Sequence, residues 1–131
     1  YEVFEASEAL AEGEVLSLEE KFLAGEGQNI TPARYAPEPK LRQKISDKVK
    51  ADLKKVAEVL NIEGYARIDA FVRIKGKDDV ETIVIEVNSL PCMTPATCIF
   101  HQTAINGYKP YDFIDRILTF GMERNQKKVI A

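Results

Sequence analysis

Two stretches with period-two alternation constrain this chain more than anything else in it. Ala66, Ile68, Ala70, Val72 and Ile74 alternate with Tyr65, Arg67, Asp69, Phe71 and Arg73, and later Ile83, Ile85 and Val87 alternate with Thr82, Val84, Glu86 and Asn88. Such alternation marks strands with one buried face. Lys75 to Val80, with its glycine and paired aspartates, is the turn between them. If Ile74 stands opposite Glu81, stepping back along an antiparallel pair sets Ala70 against Ile85, Asp69 against Glu86 and Arg67 against Asn88. This register gathers the charged residues on one face and the aliphatic ones on the other. A slip of one residue would separate Asp69 from Glu86.

Directly opposed side chains have Cβ atoms roughly 4.5 to 5.5 Å apart, and like charges so placed are destabilising unless something neutralises them. Two readings stand. Arg67 alone can neutralise the pair, which makes a surface hairpin with a structural ion cluster. Alternatively, Asp69, Glu86 and the amide oxygen of Asn88 form a hard-metal site. That donor set suits magnesium or manganese, whereas zinc favours His or Cys.

The 131 residues, 45% hydrophobic and 30% charged, suit one domain with a real core. A net charge of −3 and the lack of a basic arm give no footprint for nucleic acid or an anionic membrane. No apolar run approaches the ~20 residues of a membrane span, and no signal peptide is evident, so the expected setting is a reducing cytoplasm. Cys92 and Cys98, beside the single His101, match no zinc spacing and are too few for a disulfide framework. The chain begins at Tyr1 without an initiator methionine, which is expected of a piece of something longer.

Tyr1 to Phe4 reads as a short strand and Ser17 to Ala36 as a long loop, a length usually functional or disordered. Pro39 suits a first helical position, and Leu41, Ile45, Val49, Leu53, Val56, Ala57 and Leu60 recur at helical spacing until Asn61 to Gly64 end the helix. Its lysines are interrupted by Asp47, Asp52 and Glu58, as on a solvated face. Thr97 to Ile105 reads as a short helix whose first amides attract anions. Pro110 opens a last amphipathic helix with Phe113, Ile114, Ile117, Leu118 and Phe120 facing inward, and Arg124 to Ala131 reads as a fraying tail. The expected class is α+β, an antiparallel sheet with helices on its aliphatic face and its charged face open.

Gly64-Tyr65-Ala66-Arg67-Ile68-Asp69, followed by Glu86-Val87-Asn88-Ser89-Leu90-Pro91-Cys92-Met93-Thr94, closely resembles the last part of D-alanine-D-alanine ligases of the ATP-grasp superfamily. Glu19-Glu20-Lys21-Phe22-Leu23 and Ile30-Thr31-Pro32-Ala33 are similar to that family's substrate loop and the segment after it, so the likeness runs from about Glu14 to Gly121. The resemblance implies a carboxy-terminal ATP-grasp subdomain. It also implies that residues 1–131 form one domain, with a substrate loop at about 14–36, a metal-binding hairpin at 64–90 and carboxy-terminal helices at 97–123.

It further implies ATP-dependent joining of two D-amino acids, through an acyl phosphate, for peptidoglycan. ATP and Mg2+ (or Mn2+) are the implied cofactors. Asp69, Glu86 and Asn88 match metal ligands, Arg67 the arginine that stabilises the acyl phosphate, and Cys92 the position whose backbone amide serves the oxyanion. Lys21 and Thr97 match positions holding the second substrate's carboxylate, with Phe22 and Cys98 beside them. Cys92 replaces the usual glycine, Thr97 a serine and Cys98 a leucine. Phe22 replaces a loop tyrosine, as in the subgroup that makes D-alanine-D-lactate. Other carboxylate-amine ligases of the superfamily and a non-catalytic ATP-grasp module remain open. The implied partners are D-alanine or a related D-acid, ATP, the rest of the ligase chain and, in the full-length protein, a second copy in a homodimer.

Overall fold

The computed structural model of the chain describes residues 1–10, 29–76, 79–95 and 97–129. Its elements in order are β1 (Glu8–Ala9), β2 (Asn29–Ile30), α1 (Pro39–Val59), β3 (Arg67–Ile74), β4 (Val80–Asn88), α2 (Cys98–Ile105) and α3 (Pro110–Val129). The class is α+β, with two separate two-stranded antiparallel sheets, β1-β2 and β3-β4.

Helix α1 starts and stops where local chemistry requires. Pro39 occupies the first turn, where its missing N–H costs nothing. The Arg42 guanidinium donates to the carbonyls of Ala36 (2.9 Å) and Pro37 (3.3 Å), fixing the approach to the helix. At the other end Asn61 takes the left-handed conformation at φ 50°, while the Ile62 N–H reaches Ala57 O (3.0 Å) and the Asn61 N–H reaches Glu58 O (3.2 Å). That bonding closes the helix and satisfies carbonyls it would otherwise strand. Gly107, at φ 86°, ends α2 in the same way, with Tyr108 N–H on Thr103 O at 3.0 Å. Asp112 then accepts the Lys109 N–H (2.8 Å) and starts α3.

The β3-β4 ladder holds two registers. From the turn inward, Ile74 faces Val80, Arg73 faces Glu81, Val72 faces Thr82 and Ala70 faces Val84. The expected Ile74–Glu81 and Ala70–Ile85 pairings are therefore corrected by one residue. A bulge between Asp69 and Ala70 takes up Ile85, beyond which Asp69 faces Glu86, Ile68 faces Val87 and Arg67 faces Asn88. A bulge inserts one unpaired residue and restores the opposite side-chain parity beyond it. The charged rungs thus stand where expected, although the rungs nearer the turn do not.

The same offset changes which residues reach the core. Val72 and Val80 pack with Tyr35, Leu41 and Leu53 around the buried Ala36, Ile45 and Val49. Thr82, expected on the charged face, instead donates its hydroxyl to Asp52 on α1 at 2.7 Å. Ile85, expected on the aliphatic face, is 56% exposed. Helix α1 backs the sheet, whereas α2 and α3 pack on each other, so the expectation of helices gathered on one sheet face holds for α1.

The N-terminal segment clasps the other elements together. Glu5 accepts from Ser46 (2.9 Å) and pairs with Lys50 on α1, Ser7 accepts from Gln102 on α2 (3.0 Å), and Glu2 pairs with Arg116 on α3. Phe4 sits edge-on to Tyr108 and Phe113 at 5.6 and 5.9 Å between ring centroids. No strand forms at Tyr1 to Phe4; the short strand is Glu8–Ala9, anchored by a forked Glu8–Arg34 ion pair at 3.0 and 3.2 Å. Burial and the charges of Glu5 and Glu8 push the Tyr35 hydroxyl up to about 12.

Helix α3 differs from expectation in length and in facing. It continues to Val129, through most of the expected tail. Phe113 is buried, but Ile114 (40%), Leu118 (59%) and Phe120 (41%) are exposed. Among the described residues, no helix is long and apolar enough to cross a membrane.

Candidate active site

The open face of β3-β4 carries Arg67, Asp69, Glu86 and Asn88 on two adjoining rungs. Arg67 and Asp69 are two apart on one strand and so share its face. The guanidinium grips Asp69 in a fork, Nε to Oδ1 at 2.9 Å and Nη2 to Oδ2 at 3.1 Å, and lies 3.9 Å from Glu86 Oε1. Glu86 has no closer cation among the described residues, and more than half of its side chain is exposed. Asn88 faces Arg67 across the ladder and accepts the Leu90 N–H on its Oδ1 at 3.1 Å, which starts the turn leaving β4.

The arrangement is that of an ion cluster built on oxygen-donor residues. One guanidinium serves two carboxylates, as in a structural ion cluster. Two carboxylates and an amide oxygen also form the oxygen-donor set of a hard divalent cation. Among the described residues, no group of three or more His, Cys, Asp or Glu side chains is placed to hold a metal. Further along the same face, Arg73 and Lys75 hold Glu81 at 3.0 and 3.5 Å.

Between these charged rungs lies an apolar one. Phe71 faces Ile83 and is 67% exposed, with the exposed Ile85 of the bulge beside it. Sequence reasoning assigned these residues no role. Phe71 stands among charges in its own alternating row, and that was the signal available. An exposed aromatic next to carboxylates offers a flat apolar surface within reach of whatever they bind.

The other expected site residues follow β4. Tyr65, just before β3, donates its hydroxyl to Pro91 O at 3.2 Å and ties the segment leaving β4 to the strand beside it. Cys92 is exposed and Cys98 half-buried, both as free thiols. Thr97 flanks the start of α2, but its hydroxyl donates back to Thr94 O at 2.7 Å and does not cap the helix. Among the described residues, no hydrogen bond or ion pair joins Cys92, Thr97 or Cys98 to the charged quartet. Lys21 and Phe22 lie outside the described residues.

Comparison with known proteins places the sequence in a family. Residues 1–119 match the family described as D-ala D-ala ligase C-terminus, and the chain belongs to it. The chain is similar to the D-alanine--D-alanine ligase of Carboxydothermus hydrogenoformans, 34% identical over 110 residues that cover 83% of this chain and 32% of that protein. It is 30% identical to the Lactobacillus gasseri D-alanine--D-alanine ligase, over 88% of this chain and 32% of that protein. It is also 30% identical to D-alanine--D-alanine ligase B of Clostridium perfringens, over 96% of this chain and 38% of that protein. The chain thus spans about a third of the length of these curated relatives. No solved structure matches it.

Proposed function

We propose that this chain is the carboxy-terminal, ATP-grasp part of an ATP-dependent D-alanine-D-alanine ligase working in peptidoglycan synthesis in the cytoplasm. The observation that carries the reading is the bulged register, which sets Arg67, Asp69, Glu86 and Asn88 on one open face in a member of this family. Two exposed carboxylates opposite one another repel, and a bound cation would relieve that repulsion more fully than one arginine that grips Asp69 and lies 3.9 Å from Glu86.

In this reading Asp69, Glu86 and Asn88 hold Mg2+ or Mn2+. The ion, when bound, offsets the phosphate charge of ATP during phosphoryl transfer. Arg67 is freed from Asp69 to face the acyl phosphate made from the first D-alanine and the oxyanion formed when the second amine attacks. A donor so placed is worth about 3 to 4 kcal/mol of transition-state stabilisation. The backbone N–H of Cys92 is the companion donor. Phe71 and Ile85 supply an apolar surface for the nucleobase. Lys21 and Thr97 hold the carboxylate of the second substrate, with Phe22 and Cys98 lining its place, and Phe22 bears on whether D-alanine or D-lactate is accepted. The rest of the ligase chain supplies the remaining contacts to ATP and the first substrate.

Phosphate release from ATP by the longer protein tests this reading. It is expected to require both a divalent cation and D-alanine, and to be lost in Glu86→Gln. Turnover that survives in Glu86→Gln contradicts the metal assignment. If no D-amino acid or D-hydroxy acid supports turnover in the unaltered protein, the chain belongs to a binding module.

A further inference from the structure

Resting on the ligase reading, we propose that Tyr65 is a positioning residue that aims the Cys92 amide. The Tyr65 hydroxyl donates to Pro91 O at 3.2 Å. That carbonyl and the Cys92 N–H belong to one planar trans peptide unit, so they point in opposite directions and turn together. The ring of Pro91 fixes its φ, which leaves ψ as the torsion that sets where the Cys92 N–H points. The hydrogen bond from Tyr65 holds that torsion.

Two further observations make the hold a firm one. Pro91 is buried, so its ring has little room to shift. The Tyr65 ring meets Phe113 edge-on, with centroids 6.0 Å apart and planes at 86°, and Phe113 is only 4% exposed. Helix α3 thereby braces the ring that braces the peptide. Among the described residues the Cys92 N–H has no protein acceptor, so the donor being aimed is free for a ligand.

This arrangement also answers the substitution at residue 92. A glycine there could turn its amide by using backbone conformations closed to cysteine. In this chain the aim is set from the preceding residue, by a side chain two positions upstream of Arg67. Tyr65 therefore places one oxyanion donor while β3, which begins two residues further on, carries the other.

The test is Tyr65→Phe in the longer protein, which keeps the ring and deletes the hydroxyl. The kcat for phosphate release with ATP and D-alanine is expected to fall about 10- to 100-fold, short of the about 10²- to 10³-fold loss on deleting an oxyanion donor outright. KM for both substrates should stay within about twofold and the unfolding midpoint nearly fixed, because the hydroxyl is taken up by Pro91 O and its proposed part is to hold that peptide. In 15N-cysteine-labelled protein, the Cys92 amide order parameter is expected to drop from about 0.85 towards about 0.6. An unchanged kcat, or a change confined to KM or to the unfolding midpoint, overturns the proposal. If the unaltered protein has no turnover, the ligase reading fails. The proposal then stands or falls on the order parameter, and an equally rigid Cys92 amide in both proteins overturns it.

Discussion

Replacing Arg67 by glutamine should move two properties in opposite directions. In the structure the guanidinium forks onto Asp69 at 2.9 and 3.1 Å and lies 3.9 Å from Glu86, with the three side chains 52, 43 and 59% exposed. Such exposed ion pairs contribute only about 0.2 to 1 kcal/mol each, so little stability should be lost. Divalent-cation binding should tighten. The substitution frees Asp69 from a competing partner and removes a positive charge from beside the ion. Two unit charges about 4 Å apart interact by about 1 kcal/mol in bulk water and about 4 kcal/mol near a protein surface. At this exposure the lower figure is the better guide. For a doubly charged ion it corresponds to about 1 to 2 kcal/mol, or roughly 5- to 30-fold in affinity. Phosphate release should nevertheless fall about 10²- to 10³-fold, because the donor facing the developing charge is gone. Mn2+ titration followed by electron paramagnetic resonance measures the first effect and a coupled ADP assay the second. The gain in affinity should shrink as salt is added. Mn2+ binding that is weaker or unchanged in Arg67→Gln would refute the reasoning, since it would mean that the guanidinium and the cation do not compete for Asp69.

Other outcomes concern the support behind the site. Ile45 is 1% exposed at the centre of the α1–sheet contact, so Ile45→Ala should cost about 2 to 5 kcal/mol in urea unfolding. Leu118→Ala, at a position 59% exposed, should cost well under that; equal losses would misplace the core. Burial raises the Asp52 carboxyl, but hydrogen bonds from Lys48 and Thr82 outweigh it and leave the value below the ordinary 3.8. The Arg34 hydrogen bond likewise lowers Glu8 below 4.5, burial opposing. Groups depressed on folding contribute stability in full above their ordinary values and lose it as pH falls through the folded ones. The melting temperature should therefore decline as pH drops below about 4.5, and less steeply in Thr82→Val. A melting temperature that rises on acidification would show the sign to be wrong.

Much of the hairpin was legible because period-two alternation and opposed charges admit few registers. The bulge was not. It sits in the run Ile83-Val84-Ile85, where every residue is apolar and none marks a face, so the offset near the turn and the return to register at Asp69 left no trace in the pattern. Parity alone turns Thr82 outward, and only the nearby Asp52 of α1 shows why it faces inward. Helix α1 was legible through Pro39, its apolar spacing and Asn61, all local signals. Helix α3 carries apolar residues on opposite sides, so spacing alone could not say that Phe113 is buried and Leu118 exposed. The roles of Cys92 and Thr97 came from resemblance. The hydrogen bond from Tyr65 to Pro91 joins residues far apart in sequence and needed the fold to be seen.

The proposed ligase chemistry requires that Asp69, Glu86 and Asn88 jointly seat a divalent cation on the open face of the hairpin. Paramagnetic broadening of backbone amide signals by substoichiometric Mn2+ tests it without any turnover. Broadening centred on Asp69, Glu86 and Asn88, reversed by excess Mg2+ and abolished in the Asp69→Asn, Glu86→Gln double variant, is the predicted result. Broadening that is spread over the chain, or that persists undiminished in that double variant, would contradict it.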